Sequence, residues 1–167
     1  MSSTNRRDER GFTLIELLIV MSIIIIIATF AIPNITKIMR QSHETSAINS
    51  LQTIVKAQLQ YSSTYPQNGF ACSMSALGSG GKGATPGPQA AGLIPDDLAS
   101  GHKAGYVFNI TNCTKVTINN QDQITSYEVT AVPEAVGKTG DRGFCSDDAQ
   151  QIKSDPKGGT NCVNPIQ

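Results

Sequence analysis

A long hydrophobic run covers residues 12–32, near the start of the chain. Only four of these 21 residues are polar: Thr13, Glu16, Ser22 and Thr29. A helix of that length is about 31 Å long, which matches the hydrocarbon core of a bilayer. The isoleucines at 23–27 are weak helix formers in water, but a backbone in lipid must satisfy its own hydrogen bonds. The pattern therefore predicts a membrane-spanning helix.

Helical spacing continues through residues 34–65, now with two different faces. The apolar positions are Ile35, Ile38 and Met39, followed by Ile48, Leu51, Val55 and Leu59. The opposite face holds Asn49, Gln52, Lys56 and Gln60. This amphipathic spacing predicts a helix whose apolar stripe covers a globular partner. Pro66 ends the pattern, because a proline restrains the residue before it to an extended conformation.

The pattern changes after Pro66 to short segments rich in β-branched and aromatic residues. Strands are predicted over 106–111, 115–119 and 126–132, and a last hairpin over 143–145 and 151–153. A Gly/Pro-rich loop covers residues 78–88, with short helical turns predicted within 70–77 and 96–98. Together these elements predict an α+β fold: a long N-terminal helix, with a transmembrane half and an amphipathic half, packed on a small antiparallel β-sheet.

The composition of the chain argues against several classes of function. The 167 residues carry 13 Lys+Arg and 13 Asp+Glu, and charged residues make up 16%, below the usual ~25%. A neutral chain lacks the positive field that nucleic-acid binding needs, so no nucleic-acid partner is expected. The glycine-rich loop has no Lys-Ser/Thr after a Gly-x4-Gly frame, and no spacing indicates a nucleophile with its base. We therefore expect neither an enzyme nor a cofactor.

Three interpretations compete for the hydrophobic run. A removed secretory signal is disfavoured, because the run is too long and no Ala-x-Ala site follows it. A plain membrane anchor leaves Glu16 unexplained. A carboxylate at the centre of a lipid-spanning helix costs about 2.5–3.5 kcal/mol on insertion scales, and less near the helix start. The third interpretation gives Glu16 a positive partner.

Residues 11–18, Gly-Phe-Thr-Leu-Ile-Glu-Leu-Leu, resemble the signal of type IV prepilins and pseudopilins, with charged residues before them and the apolar run after them. The resemblance implies that a prepilin peptidase cleaves between Gly11 and Phe12 and that Phe12 becomes N-methylated. It also implies that Glu16 pairs, in an assembled filament, with the Phe12 amine of a neighbouring subunit. An unpaired carboxylate in an apolar filament core is costly, so this pairing makes physical sense.

Pro33 stands where this family often has a proline, and a proline inside a helix removes one hydrogen bond and kinks it. Many relatives also have a glycine about eight residues earlier, and their helix can melt between the two on assembly. Here that position is Ile25. Melting of residues 25–33 in this chain is therefore left open.

The resemblance also implies a pilin-like layout. Residues 1–11 are expected to be a leader, 12–33 a transmembrane and assembly helix, 34–65 an amphipathic helix, and 66–167 a β-rich head. The subunit is expected in the bacterial inner membrane with its head in the periplasm, and afterwards in a pilus or a periplasmic pseudopilus. Its implied partners are the peptidase, an assembly platform with its ATPase, and other pilin subunits. The resemblance therefore implies a structural subunit of a bacterial type IV pilus-type filament. The alternatives are a pseudopilin of a type II secretion system that drives protein export and a minor pilin that binds surfaces or DNA.

Four cysteines follow the long helix: Cys72, Cys113, Cys145 and Cys162. An even number on the side predicted to leave the cytoplasm favours two disulfides. Of the three possible pairings, we favour 72–113 with 145–162, because these close short loops. Zinc binding is disfavoured, since no Cys-x2-Cys pair exists and only two histidines are available.

A few acidic residues are weak calcium candidates, as in loops of some pseudopilins: Asp141, Asp147, Asp148 and Asp155. The spacing of an EF-hand is absent, so a solvated acidic hairpin is the favoured interpretation, and no metal site is predicted.

Overall fold

The computed structural model describes residues 12–81 and 83–166. The chain divides into two units, Met1–Lys37 and Ile38–Gln167, each of which is compact by itself. The first helix, α1, covers Leu14–Thr64 and contributes residues to both units. The helix contains no glycine. The first proline after it is Pro66, two residues beyond its end, and a proline there disfavours a longer helix.

Two short helices follow, α2 at Met74–Leu77 and α3 at Asp96–Ala99. α2 lies within the segment 70–77 where a helical turn was predicted, and α3 extends the turn predicted at 96–98 by one residue. The Ser73 hydroxyl caps α2 by accepting a hydrogen bond from the Ala76 amide at 3.2 Å. Both helices belong to the second unit.

Six antiparallel strands form one sheet in sequential order. Their bounds are β1 His102–Lys103, β2 Tyr106–Ile118, β3 Gln121–Pro133, β4 Gly143–Asp147, β5 Ile152–Asp155 and β6 Asn164–Pro165. The long strands β2 and β3 are joined by Asn119 and Asn120, which have φ values of +51° and +62°. Asparagine tolerates this left-handed region, and two such residues make a tight hairpin turn.

The core of the second unit lies between the later part of α1 and one face of the sheet. Its fully buried large side chains include Leu51 and Ile54 on the helix and Tyr106, Phe108 and Phe144 on the sheet. A helix face packed on an antiparallel sheet confirms the predicted α+β fold.

The predicted apolar stripe was partly wrong. Leu59 is 40% exposed, whereas the sheet is covered by a row of buried residues: Ala47, Leu51, Ile54, Gln58 and Tyr61. Gln58 was not expected inside. Its amide donates to the Ala71 carbonyl and accepts from the Ala71 N–H, both at 2.8 Å, so its polar atoms are satisfied without water.

The predicted strands 106–111 and 115–119 are one strand, β2. The polar residues between them form a β-bulge, where the register with β3 shifts and Asn112 has a φ of +51°. β3 begins at Gln121 rather than at 126, because the tight turn lets pairing start at once. The two-residue strands β1 and β6 were not predicted, since such short segments carry no periodicity.

Candidate functional site

The first helix begins at a local hydrogen-bonded cap. The Thr13 hydroxyl accepts from the Glu16 N–H at 3.3 Å and donates to Glu16 Oε2, also at 3.3 Å. The Thr13 carbonyl accepts the first helical bond, from Leu17 N–H at 3.2 Å. Thr-x-x-Glu is the residue pattern of a capping box, which satisfies amides at a helix start. Thr13 therefore holds the Glu16 carboxylate close to the beginning of α1.

The surface of this helix is apolar all round. Large hydrophobic side chains from Phe12 to Phe30 are all about half exposed or more, from 47% at Val20 to 82% at Leu14. The other two hydroxyl groups bond to the backbone of the same helix: Ser22 donates to the Leu18 carbonyl and Thr29 to the Ile25 carbonyl, each at 2.8 Å. Glu16 is therefore the single charged side chain on this uncovered apolar segment.

Two of the residues expected to matter for processing and assembly lie partly or wholly outside the described part of the chain. Gly11 is outside it, and Pro33 is described only as part of the α1 backbone. Among the described residues, no single unbroken helix is both long and apolar enough to cross a membrane. The two parts of α1, Leu14–Phe30 and Ile35–Thr64, reach that length and composition only when they are counted together.

In the second unit, the start of its helix is held to the segment before β4 by a cluster that we call the clasp: Arg40, His43 and Glu44 with Thr139, Asp141 and Arg142. Glu44 is buried. Its Oε1 accepts from the Asp141 and Arg142 amides at 2.9 and 3.2 Å, and its Oε2 accepts from the Arg142 guanidinium at 2.7 and 2.9 Å. The clasp thus satisfies a buried carboxylate fully, with charge-assisted bonds.

The outer parts of the clasp are more exposed. Arg40 Nη1 lies 2.7 Å from Asp141 Oδ1, and His43 Nδ1 lies 3.0 Å from the Thr139 carbonyl, to which it donates. The Arg142 guanidinium also lies 5.3 Å from the centre of the Phe144 ring, within the range of a cation–π contact. These contacts fix residues 139–142 against α1.

All four cysteines are paired. Disulfides join Cys72 to Cys113 and Cys145 to Cys162. The first ties the segment before α2 to the bulge of β2, and the second closes the loop that contains β5. Crosslinks between these distant positions restrict the unfolded chain.

Three of the four acidic residues considered for calcium have other partners. Asp141 belongs to the clasp, and Asp147 Oδ2 lies 3.5 Å from Lys153 Nζ. Asp155 is buried and accepts from the Lys157 and Asn161 amides at 2.9 and 3.2 Å. In the part of the chain that the structure describes, no three His, Cys, Asp or Glu side chains come together as a metal site.

Known proteins match this chain in sequence, both at the helix start and over most of its length. The model of the prokaryotic N-terminal methylation motif matches residues 6–32. The chain is 30% identical over 132 residues to the type IV wide pilus major component PilA4 of Thermus thermophilus, covering 76% of this chain and 99% of that relative. This chain belongs to the type IV pilin family. No solved structure shows a significant match.

Two further relatives match over a shorter stretch. The type IV major pilin protein PilA of Myxococcus xanthus is 46% identical over 61 residues, which are 36% of this chain and 27% of that relative. The competence protein ComGC of Bacillus subtilis is 46% identical over 52 residues, which are 31% of this chain and 52% of that relative. The Thermus relative is named as a pilus component, and the Myxococcus relative is named as a major pilin.

Sequence reasoning missed two functional features of this pilin. Thr13 was counted only as a polar interruption, although the spacing Thr13-x-x-Glu16 is a recognisable capping signal. The Glu44–Arg142 pair had no signal at all, because the two residues are 98 positions apart and only the packing of α1 against the segment before β4 brings them together.

Proposed function

We propose that this pilin is a structural filament subunit, cleaved after Gly11 and assembled through its N-terminal helix. The observation that carries the proposal is the uncovered apolar surface of residues 12–30, on which Glu16 is the single charge. Such a surface is not stable in water, since each large apolar side chain buried gains about 1.5–3 kcal/mol. It requires either lipid or the apolar helices of other subunits.

Cleavage supplies a positively charged partner for Glu16. Removing residues 1–11 creates an amine on Phe12, beside the capped start of α1. In a bundle of such helices, the Glu16 carboxylate of one subunit pairs with the Phe12 amine of the next. A contact between different surfaces of identical subunits repeats without closing, which is how an open helical filament grows.

Before assembly, the same helix stores the subunit in the bacterial inner membrane with its head in the periplasm. The two disulfides support this side of the membrane, because disulfides persist in oxidising compartments. An assembly platform and its ATPase then extract the processed subunit, and the head faces outward in the filament.

A surface pilus is favoured over a type II secretion pseudopilus by one observation. The chain covers 99% of a relative that is named as the major component of a wide pilus. A pseudopilin that drives protein export and a minor pilin that binds surfaces or DNA remain the competing candidates.

The test is electron microscopy of cells with and without the gene, combined with mass spectrometry of purified filaments. We expect surface filaments that disappear on deletion and that contain a chain beginning with N-methylated Phe12. A different N-terminal residue in assembled protein would contradict the processing step. Normal surface filaments in the deletion strain, together with lost protein export, would favour the pseudopilin.

A further inference from the structure

The second unit carries a groove of about 500 Å³ between α1 and the α3–β1 region, formed by residues of that unit alone. We call it the hydroxyl groove. Its α1 side consists of six short polar side chains in two rows, in each of which the spacing is four residues: Ser42, Ser46 and Ser50, and Thr45, Asn49 and Thr53. Residues four apart lie one above the other on a helix, so the rows form a polar strip about 17 Å long.

Ser50 is the residue that points to a ligand. Its side chain is only 5% exposed, and its hydroxyl has no hydrogen-bond partner in the part of the chain that the structure describes. The unpartnered hydroxyls that are also closed off from solvent belong to Tyr127 and Ser146, so the Ser50 hydroxyl still faces the groove that it lines. Buried polar groups normally have partners, because an unpaired one costs free energy. The groove therefore offers a nearly buried position to a hydrogen-bonding ligand.

The other polar side chains of the strip determine what such a ligand must carry. Within residues 12–81 and 83–166, the side chains of Ser42, Ser46 and Asn49 make no hydrogen bond. Thr45 and Thr53 each donate to a carbonyl of the preceding helical turn at 2.9 Å, and their oxygens can still accept. Hydroxyl and amide groups both donate and accept. The best match is a ligand with many groups that do the same.

The hydroxyl groove offers no unpaired charge to a ligand. Among the described residues that line it, Lys103 is the one charged side chain, and its Nζ lies 3.0 Å from Asp97 Oδ2. The other carboxylate oxygen of Asp97 accepts from the Leu98 amide at 2.8 Å. Nucleic acids and acidic lipid headgroups are bound through cations that are free to pair with phosphate. The groove therefore favours a neutral ligand.

The wall opposite α1 is poor in accessible apolar surface. It consists of Pro95, which is exposed, and Leu98, which is only 1% exposed, next to Lys103. Protein partners bind mainly through aromatic or aliphatic anchors that fill apolar pockets, and this wall has no such pocket. A sugar ring suits it better, because the ring carries hydroxyls on its edge and C–H groups on its faces. The hydroxyls can reach the polar strip while a C–H face lies on Pro95.

We infer that the hydroxyl groove binds a neutral carbohydrate chain. Ser50 and Asn49 lie near the middle of the strip and hold one sugar residue by hydrogen bonds, and Ser42 and Thr53 at its two ends contact the sugars on either side. This arrangement favours a chain over a single sugar. The inference goes beyond the proposed function and needs neither cleavage nor assembly, because every residue of the groove belongs to the second unit.

The test is a titration of the full chain, labelled with nitrogen-15, followed by the NMR shifts of its backbone amides. The chain is kept in dodecylphosphocholine micelles, because this detergent carries no sugar headgroup that could compete. Three neutral hexasaccharides are added separately, up to about 10 mM: maltohexaose, cellohexaose and chitohexaose. Hexagalacturonic acid, which has the same length and carries negative charges, is the comparison for the effect of charge.

We expect the amides of Ser46, Asn49 and Ser50 to shift, and to saturate, with at least one neutral hexasaccharide and not with the acidic one. Ser50→Ala and Asn49→Ala should each raise the Kd about fivefold, because each variant loses a hydrogen bond to the sugar. Ser63→Ala and Gln60→Ala make the same changes at exposed positions of α1 outside the groove and should leave the Kd unchanged. Thermal unfolding of each variant confirms that the second unit is folded.

Other outcomes overturn the inference in distinguishable ways. No saturable shift with any of the three neutral sugars contradicts carbohydrate binding and leaves the proposed function standing. An equal or stronger response to hexagalacturonic acid contradicts the preference for a neutral ligand. A Kd that neither Ser50→Ala nor Asn49→Ala changes means that the sugar binds elsewhere. Shifts of the same amides on raising the protein concentration without sugar mean that a second copy of the chain occupies the groove. Sugar binding by a chain that forms no filaments in cells contradicts the proposed function alone.

Discussion

The buried carboxylate of Glu44 accepts four hydrogen bonds from a segment 97–98 positions away, and the shortest, at 2.7 Å, comes from the Arg142 guanidinium. The pair joins α1 to the residues just before β4. Because Glu44 is buried and Arg142 is 45% exposed, the pair is only partly screened by water. We regard it as the main polar link between helix and sheet at this end.

Replacing Glu44 with Ala should destabilise the head strongly. The change leaves the Arg142 guanidinium and two backbone amides without their acceptor. Breaking a buried pair costs about 3–5 kcal/mol. Because Arg142 is partly exposed, we expect the free energy of unfolding to fall by about 2–3 kcal/mol. Thermal unfolding of the full chain in detergent, followed by near-ultraviolet circular dichroism, measures the loss. The matched control is Arg40→Gln, which removes the more exposed pair with Asp141 and should cost below about 1 kcal/mol. Equal losses for the two variants would show that burial does not matter here.

Replacing Glu16 with Ala should block assembly but neither processing nor membrane insertion. The variant removes the single charge from the apolar segment, so storage in lipid becomes easier while the proposed pairing with the Phe12 amine is lost. Because breaking a buried ion pair costs about 3–5 kcal/mol, incorporation into filaments should fall more than tenfold. Immunoblots of membrane and sheared-filament fractions measure both pools. Glu16→Asp keeps the charge and should assemble better than Glu16→Ala. Normal incorporation of the Ala variant would contradict the proposed pairing of Glu16 with the Phe12 amine.

Replacing Thr13 with Val tests the helix cap separately from the charge. Valine keeps the β-branched shape and removes the hydroxyl that bonds to the Glu16 amide and carboxylate. Losing such a cap costs about 1 kcal/mol, so amides at the start of α1 should exchange with solvent about fivefold faster. Hydrogen exchange in detergent micelles measures this. Thr13→Ser retains the hydroxyl and serves as the control; if it exchanges as fast as Thr13→Val, the hydroxyl is not the cap.

Removing either disulfide should destabilise the head by an amount that follows loop length. The pairs Cys72–Cys113 and Cys145–Cys162 are separated by 41 and 17 positions. In the chain-entropy description, double replacement by Ser costs about 4 kcal/mol for the longer loop and about 3 kcal/mol for the shorter. Chemical unfolding of each double variant without reductant, with the oxidised parent as the reference, measures both losses. A larger loss for the shorter loop would contradict the entropic account.

Much of this fold could be predicted from the sequence, because the signals are local. The apolar run, the helical spacing after it and the alternating strands each depend on neighbouring residues, and so does the cap formed by Thr13 and Glu16. Interior polar contacts could not be predicted. Gln58 is buried because one backbone segment passes it with both an N–H and a carbonyl available at 2.8 Å. Gln58 lies on the same helical spacing as Leu51 and Ile54, unlike the exposed Gln52 and Gln60, but the residue type gave no sign that this position is buried.

Replacing Tyr127 with Phe should leave the head as stable as before, or stabilise it by about 1–3 kcal/mol. The Tyr127 hydroxyl is buried and has no hydrogen-bond partner among the described residues, so removing it removes a desolvation penalty. Tyr61→Phe is the matched control. Its hydroxyl donates to the Pro88 carbonyl at 2.7 Å, so losing it should cost about 1 kcal/mol. Thermal unfolding at pH 7 compares the two variants.

The same variant should also lower the sensitivity of the head to alkali. Burial, followed by the nearby negative charges of Asp148 and Asp147, raises the pKa of Tyr127 from 10.0 to about 12. The folded chain therefore holds this proton after the unfolded chain has lost it. The contribution of the Tyr127 hydroxyl to the free energy of unfolding is fully present below pH 10 and is lost as the pH rises towards 12. Tyr127→Phe should lose less stability than the parent over that interval, as measured by unfolding at pH 9, 10 and 11. Parallel losses in both proteins would place the alkaline transition elsewhere, and the equally buried Tyr106, whose pKa burial also raises, would be the next residue to replace.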